Sequence, residues 1–167
     1  MKVLVISGSM GAGKTTVLGE ASDVLTTRGI VHAAIDVDGL ANGNLPDADT
    51  LQDQNLRAIV ANYVAADVSH FLLAEALDSH AKRAAFVEAF GDAHLVVCRL
   101  IAPVEEMQRR VRLREPGMLQ ETFVARVAEL DSRLAAAYVE DFSMANDGSR
   151  TVTEIAAEML TRAGWIR

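Results

Sequence analysis

The stretch Gly8-Ser9-Met10-Gly11-Ala12-Gly13-Lys14-Thr15 constrains this chain more than any other, because it fits the pattern G-x-x-x-x-G-K-[ST] without a mismatch. Lys2-Val3-Leu4-Val5-Ile6-Ser7 before it is a short, branched apolar run that predicts a buried parallel strand, and residues 14–28 after it predict a helix. In that setting the glycines let successive backbone N–H groups turn inward around phosphate oxygens. The helix N-terminus adds its partial positive charge. Lys14 is expected to reach the β- and γ-phosphates of a nucleotide, and the Thr15 hydroxyl to ligate Mg²⁺. Gly8, Ser9, Met10, Gly11, Ala12, Gly13, Lys14, Thr15 and the adjoining Thr16 are therefore the nucleotide-binding candidates.

Composition limits what can be built around this loop. A chain of 167 residues predicts one domain, residues 1–167, that buries roughly 70% of its unfolded surface. No run approaches the ~18 uninterrupted apolar residues of a membrane span, and the start lacks a basic region ahead of an apolar stretch. A cytoplasmic protein without a membrane partner is the expectation. The single Cys98 lies in an apolar run and reads as a small core residue. A net charge of −7 argues against a nucleic-acid partner, since holding a phosphate backbone needs neutralising cations. It leaves room for a small anionic ligand: Arg99, Arg109, Arg110, Arg112, Arg114, Arg126 and Arg133 concentrate positive charge within residues 99–133, tempered by six carboxylates in the same stretch.

Along the chain, short apolar runs alternate with helical patterns, without repeats or a long linker, which predicts an α/β domain with a parallel sheet. The further expected strands are Ile30–Ile35, ending at Asp36, then Val68–Ala74, His94–Leu100 and Phe142–Ala145. Helices are expected over 50–66 and 77–90, then from Pro103 to the stop at Pro116-Gly117, then over a long stretch after Met118, with a last one opening at the capping box Thr151-Val152-Thr153-Glu154. Five strands, right-handed crossovers and helices on both faces make a three-layer sandwich with its ligands at the carboxyl ends of the strands.

The second chemical feature is Asp36-Val37-Asp38, expected on the same edge of the sheet as the phosphate loop, with strand alternation sending both carboxylates to one side. Phosphoryl transfer needs positioning, charge neutralisation and a carboxylate to take the acceptor's proton. Asp36 is the candidate for that base or for holding the magnesium's water shell, and Asp38 for binding the acceptor. Arg110 and Arg114 share one flank of the helix after Pro103. Arg57, His80, Asn42 and Asn55 are acceptor-side candidates, whereas His32, His70, His94 and Trp165 read as packed residues.

The phosphate loop, the Asp36-x-Asp38 pair, the Arg110/Arg114 helix and Asn146-Asp147-Gly148 together resemble the small P-loop kinases related to nucleoside monophosphate kinases. That group includes shikimate kinase, gluconate kinase, adenylylsulfate kinase and chloramphenicol phosphotransferase. The resemblance spans nearly the whole chain and implies the P-loop NTPase fold with strand order 2-3-1-4-5, ATP with Mg²⁺, a mobile lid near residues 112–122, and transfer to a small-molecule hydroxyl. It also implies that Arg114 contacts the transferring phosphate, that Arg110, Asn146 and Gly148 border the adenine, and that His80 stands where acceptor contacts fall. The chain departs from the pattern at Leu73-Ala74-Glu75, which lacks the Asp-Gly pair of many nucleoside monophosphate kinases. The expected function is an ATP-dependent small-molecule phosphotransferase, with a nucleoside monophosphate kinase or a non-transferring ATP switch as alternatives. A homodimer is compatible with the sequence.

Overall fold

The computed structural model describes residues 1–167. Its elements run β1 (Lys2–Ser7), α1 (Lys14–Thr27), β2 (Ala33–Asp36), a 3-10 turn (Val37–Ala41), α2 (Ala48–Ala65), β3 (His70–Ala74), α3 (His80–Phe90), β4 (His94–Ile101), α4 (Val104–Arg114), α5 (Gln120–Ala137), β5 (Phe142–Ala145) and α6 (Val152–Arg162). The strands are parallel, in the order 2-3-1-4-5. This is the α/β P-loop NTPase fold expected from the sequence.

Strand periodicity explains the three layers. Leu4, Ile6, Leu72, Ala74, Cys98 and Leu100 face one side of the sheet, where they pack with residues of α1, α4, α5 and α6. Val3, Val5, Phe71, Leu73 and Val97 face the other, against Leu56 and Val60 of α2 and Phe86 and Phe90 of α3. A side chain of this kind stabilises the fold by roughly 1.5–3 kcal/mol when it leaves water, so the sheet is a rigid platform for its carboxyl edge. Cys98 lies within this core, and burial pushes its thiol up to about 12, as suits an inert packing residue. No helix is long and apolar enough to cross a membrane.

Several boundaries differ from the expected ones, for identifiable reasons. β2 begins at Ala33 rather than Ile30, because Ala33 pairs with Phe71 and β3 itself starts only at His70, so residues 30–32 have almost no ladder to join. His32 instead bonds Ser22 Oγ and the Ile30 carbonyl, both at 2.8 Å. α3 begins at His80 rather than 77, since the Ser79 hydroxyl accepts from the Lys82 N–H and caps it there. The capping box at Thr151 and Glu154 is present as expected. Trp165 and His70 pack edge to face, with ring centroids 5.1 Å apart.

Candidate functional site

The phosphate loop joins β1 to α1 and leaves the start of α1 open to a ligand. Gly13 precedes the helix at φ +96°, no side chain caps the first turn, and no acidic residue stands in it. Ser79 and Thr151 do cap α3 and α6, whereas α2, α4 and α5, like α1, begin without a side-chain cap. An uncapped N-terminus beside a glycine loop is an anion cradle. The glycines also make room behind it. A Cβ on Gly11 would strike the Met107 carbonyl, and one on Gly13 would strike the Asn146 amide.

A cleft of about 270 Å³ opens over this cradle, lined by Ser9, Met10, Gly11, Gly13, Lys14, Thr15, Thr16, Asp38, Arg110 and Arg114. Lys14 is only 9% exposed. Its ammonium stands 3.6 Å from Asp38 Oδ2. The Thr15 hydroxyl donates to Asp36 Oδ2 at 2.8 Å, while Asp36 Oδ1 is buried with no hydrogen-bond partner. The chain does not continue β2 through both aspartates: it turns into the 3-10 helix at Val37, so the expected alternation does not apply. Each carboxylate still reaches the loop, by a different neighbour.

These residues fit a magnesium–nucleotide ligand. An unsatisfied carboxylate oxygen next to a threonine hydroxyl supplies the hard oxygens that Mg²⁺ takes, usually together with substrate phosphates. No group of three or more His, Cys, Asp or Glu residues is placed to hold a metal on its own.

Local pairing absorbs most of the arginine-rich stretch. Arg99 is buried against Asp131 and Glu140, Arg109 bonds Glu106, Arg112 stands 3.7 Å from Glu121, and Arg133 pairs with Asp78 and Glu129. Arg110 and Arg114 remain at the cleft, on the flank the helical wheel indicates. Arg114 Nε donates to Glu115 at 2.9 Å and the side chain is more than half exposed. The link between α4 and α5 is short, residues 115–119, and carries Met118 at 99% exposure.

A second cavity, of about 150 Å³, lies between α2 and α3 over the end of β3, lined by Asp49, Gln52, Asp53, Glu75, Lys82, Ala85 and Phe86. Its wall holds the residue that sequence reasoning passed over. Glu75 was noted only for the absence of an Asp-Gly pair, yet it is 4% exposed and its backbone N–H donates to Ile6 O beside the phosphate loop. Gln52 donates to its Oε2 at 2.7 Å, and Lys82 stands 3.8 Å from its Oε1. The available signal was an acid at the carboxyl end of a buried strand, next to the strand that bears the loop.

Burial, then the Asp38 charge, raise the Glu75 carboxyl from the ordinary glutamate range to about 7, with Lys82 and Lys14 opposing. The folded protein thus holds this proton more tightly than the unfolded chain does. The resulting stability is full below the ordinary glutamate range and lost as pH rises through about 7. Urea unfolding at a series of pH values is expected to show stability falling between about pH 5 and about pH 7.5, and Glu75→Gln to flatten that fall. An unchanged slope in the variant would place the loss in another group.

The remaining acceptor-side candidates stand elsewhere. Arg57 is exposed and stands 3.8 Å from Glu88 on α3, and His80 is the exposed first residue of that helix; neither lines either cavity. Asn55 donates to the Leu40 carbonyl at 2.7 Å, tying α2 to the 3-10 turn, and Asn42 ends that turn. Asn146 sits behind the phosphate loop, where its amide donates to the Ala12 carbonyl at 2.8 Å, and Gly148 follows at φ +90°.

Among solved structures, the chain is similar to several small kinases. The adenylylsulfate (APS) kinase of Mycobacterium tuberculosis, in complex with AMPPNP and APS, is 24% identical, with 96% of this chain and 95% of that chain covered and a TM-score of 0.67. Shikimate kinase from Acinetobacter baumannii, in complex with shikimate, is 18% identical over 97% of this chain and 92% of its own, at a TM-score of 0.61. The tunicamycin resistance protein of Deinococcus radiodurans is 15% identical, covering 99% and 96%, at a TM-score of 0.64. No family model matches the sequence, and no curated protein matches it. The fold is that of the P-loop kinases.

Proposed function

We propose that this protein is an ATP-dependent phosphotransferase that moves the γ-phosphate to a hydroxyl of a small molecule. The observation that carries the reading is the convergence of Lys14, the Thr15–Asp36 pair and Asp38 on the open N-terminus of α1, with a separate cavity at the end of β3, the strand next to the one that bears the loop. A nucleotide-binding switch has no need of the second cavity. The structural neighbours that are kinases support the same class.

Phosphoryl transfer asks a protein for alignment and charge stabilisation rather than covalent chemistry. The loop N–H groups and Lys14 would hold the phosphates, and Thr15 with Asp36 would hold the magnesium and its water. Magnesium, when bound, would supply charge neutralisation for the transferring phosphoryl group. Asp36 is engaged by Thr15, so we assign the acceptor's proton to Asp38, whose side chain is 55% exposed next to Lys14. Arg114 completes the cleft from the α4 side, and the link at 115–119 is the segment that would fold over it, within the lid expected near 112–122.

The charge of the acceptor cavity narrows the substrate. Two exposed carboxylates, Asp49 and Asp53, line it together with the Glu75 carboxyl, held partly protonated by its burial, against one lysine, and Lys82 is already shared between Glu75 and Asp78 at 3.8 and 3.5 Å. An anionic acceptor would meet uncompensated repulsion there, which disfavours the nucleoside monophosphate alternative. A neutral polyol or an amine-bearing alcohol would find acceptors for its O–H and N–H groups, with Phe86 as an apolar wall. The test is ATP turnover against matched panels of neutral, aminated and carboxylated or phosphorylated alcohols. Turnover is expected to rise with members of the first two panels; stimulation by the anionic panel alone would overturn this acceptor assignment, and by none at all the transferase reading.

A further inference from the structure

The carbonyls of the phosphate loop are held as closely as its cradle is left open. In a loop whose N–H groups converge on an anion, the carbonyls must be held away, since one turned inward would oppose the phosphate charge. Two side chains hold them here. Asn146 Nδ2 donates to Ala12 O at 2.8 Å, and Arg110 Nη1 donates to Gly11 O at 3.3 Å. Each is fixed in turn. The Asn146 backbone N–H donates to Ile101 O at 2.8 Å, anchoring it to the end of β4; Arg110 Nη2 donates to Asn146 O at 2.9 Å, and Arg110 Nε to Glu106 at 2.8 Å.

The glycines of the motif serve this arrangement too. Only a residue without a Cβ at position 13 admits the Asn146 amide, and only one at position 11 admits the α4 backbone at Met107. By position along the chain, Asn146 and Arg110 read as contacts to the nucleobase. Their hydrogen bonds go to the loop instead.

We propose that Asn146 and Arg110 are positioning residues that jointly clamp the Gly11 and Ala12 carbonyls and so preorganise the phosphate cradle, acting on the phosphates of any nucleotide rather than on recognition of its base. Preorganisation of this kind raises affinity by removing the ordering cost from the binding step. The inference rests on the loop binding phosphates, and it is independent of whether transfer follows.

Inorganic tripolyphosphate separates the two roles, because it carries phosphates and no base. Calorimetry of the parent, Asn146→Ala and Arg110→Gln with tripolyphosphate, ATP and GTP, all with Mg²⁺, is the experiment. Each variant is expected to lose about five- to tenfold in affinity for tripolyphosphate, the effect of one or two hydrogen bonds. ATP affinity should fall by the same factor, with the ATP-to-GTP preference unchanged. The double variant should lose less than the product of the single losses, since both act on one loop.

Undiminished tripolyphosphate binding alongside weaker ATP binding would make these residues base contacts and overturn the proposal, as would losses that simply multiply. If Asn146→Ala fails to fold, Arg110→Gln carries the same test alone. A parent protein that binds no polyphosphate would overturn the proposed function together with this inference; a parent that binds while the variants match it overturns this inference only.

Discussion

Replacing Lys14 by Met is expected to cut turnover by about 10²- to 10³-fold and to weaken ATP binding, while the protein stays folded. Lys14 is 9% exposed at the base of the cleft, so its charge acts on a bound phosphate through little water and is worth more than a surface charge. Methionine keeps the apolar stem that fills this space and removes only the charge. Its partner Asp38 has a side chain 55% exposed and can take up water, so the loss of the ion pair costs little stability. Calorimetry with ATP·Mg²⁺ and a turnover assay, beside thermal unfolding, give the three readings together. A variant with the parent's affinity and rate would remove the phosphate-loop assignment from which the functional reading starts.

The two aspartates should separate just as clearly. Asp38→Asn keeps the shape of the side chain but cannot take a proton, and general-base assistance is commonly worth about 10²- to 10⁴-fold in kcat. ATP affinity should change little, because the loop and Lys14 remain. Asp36→Asn should instead weaken magnesium binding: with its unpartnered Oδ1 and its bond to Thr15 it is our proposed metal-side carboxylate, so more Mg²⁺ should be needed for half-maximal rate. Titrating Mg²⁺ at saturating ATP for both variants reads the difference. If Asp36→Asn loses kcat at every magnesium concentration while Asp38→Asn alters only the acceptor's KM, the base is Asp36 and Asp38 holds the substrate, as the sequence alone suggested. Full activity in both variants would make the pair structural.

The phosphate loop was legible because its chemistry is local: glycine spacing, a lysine and a threonine act within one strand–loop–helix unit, and eight consecutive residues carry the whole signal. The layered sheet was legible for a similar reason, since runs such as Val3-Leu4-Val5-Ile6 can be buried on both faces only between helices. Element ends were less so. Whether residues 30–32 join a strand depends on where β3 begins, a fact written some 40 residues further along the chain.

What lay beyond the sequence is what depends on partners distant along the chain. The arginine-rich stretch reads as a patch of positive charge, but only packing shows that Asp131 and Glu140 take up Arg99 and that Asp78 takes up Arg133, leaving Arg110 and Arg114 at the cleft. Glu75 reads as a missing motif until β3 pairs with β1, ties its backbone N–H to Ile6 O and sets its carboxyl in the wall of the second cavity. That the Asn146 amide is set against the Ala12 carbonyl, 134 residues away, is likewise visible only in the fold. The sequence by itself determined the strand–loop–helix cradle and the layered sheet, since both follow from short-range geometry and hydrophobic periodicity. Tertiary structure decided which charges line the cleft and which carbonyls are held, because pairing is settled by distance in space, and spacing along the chain does not encode it.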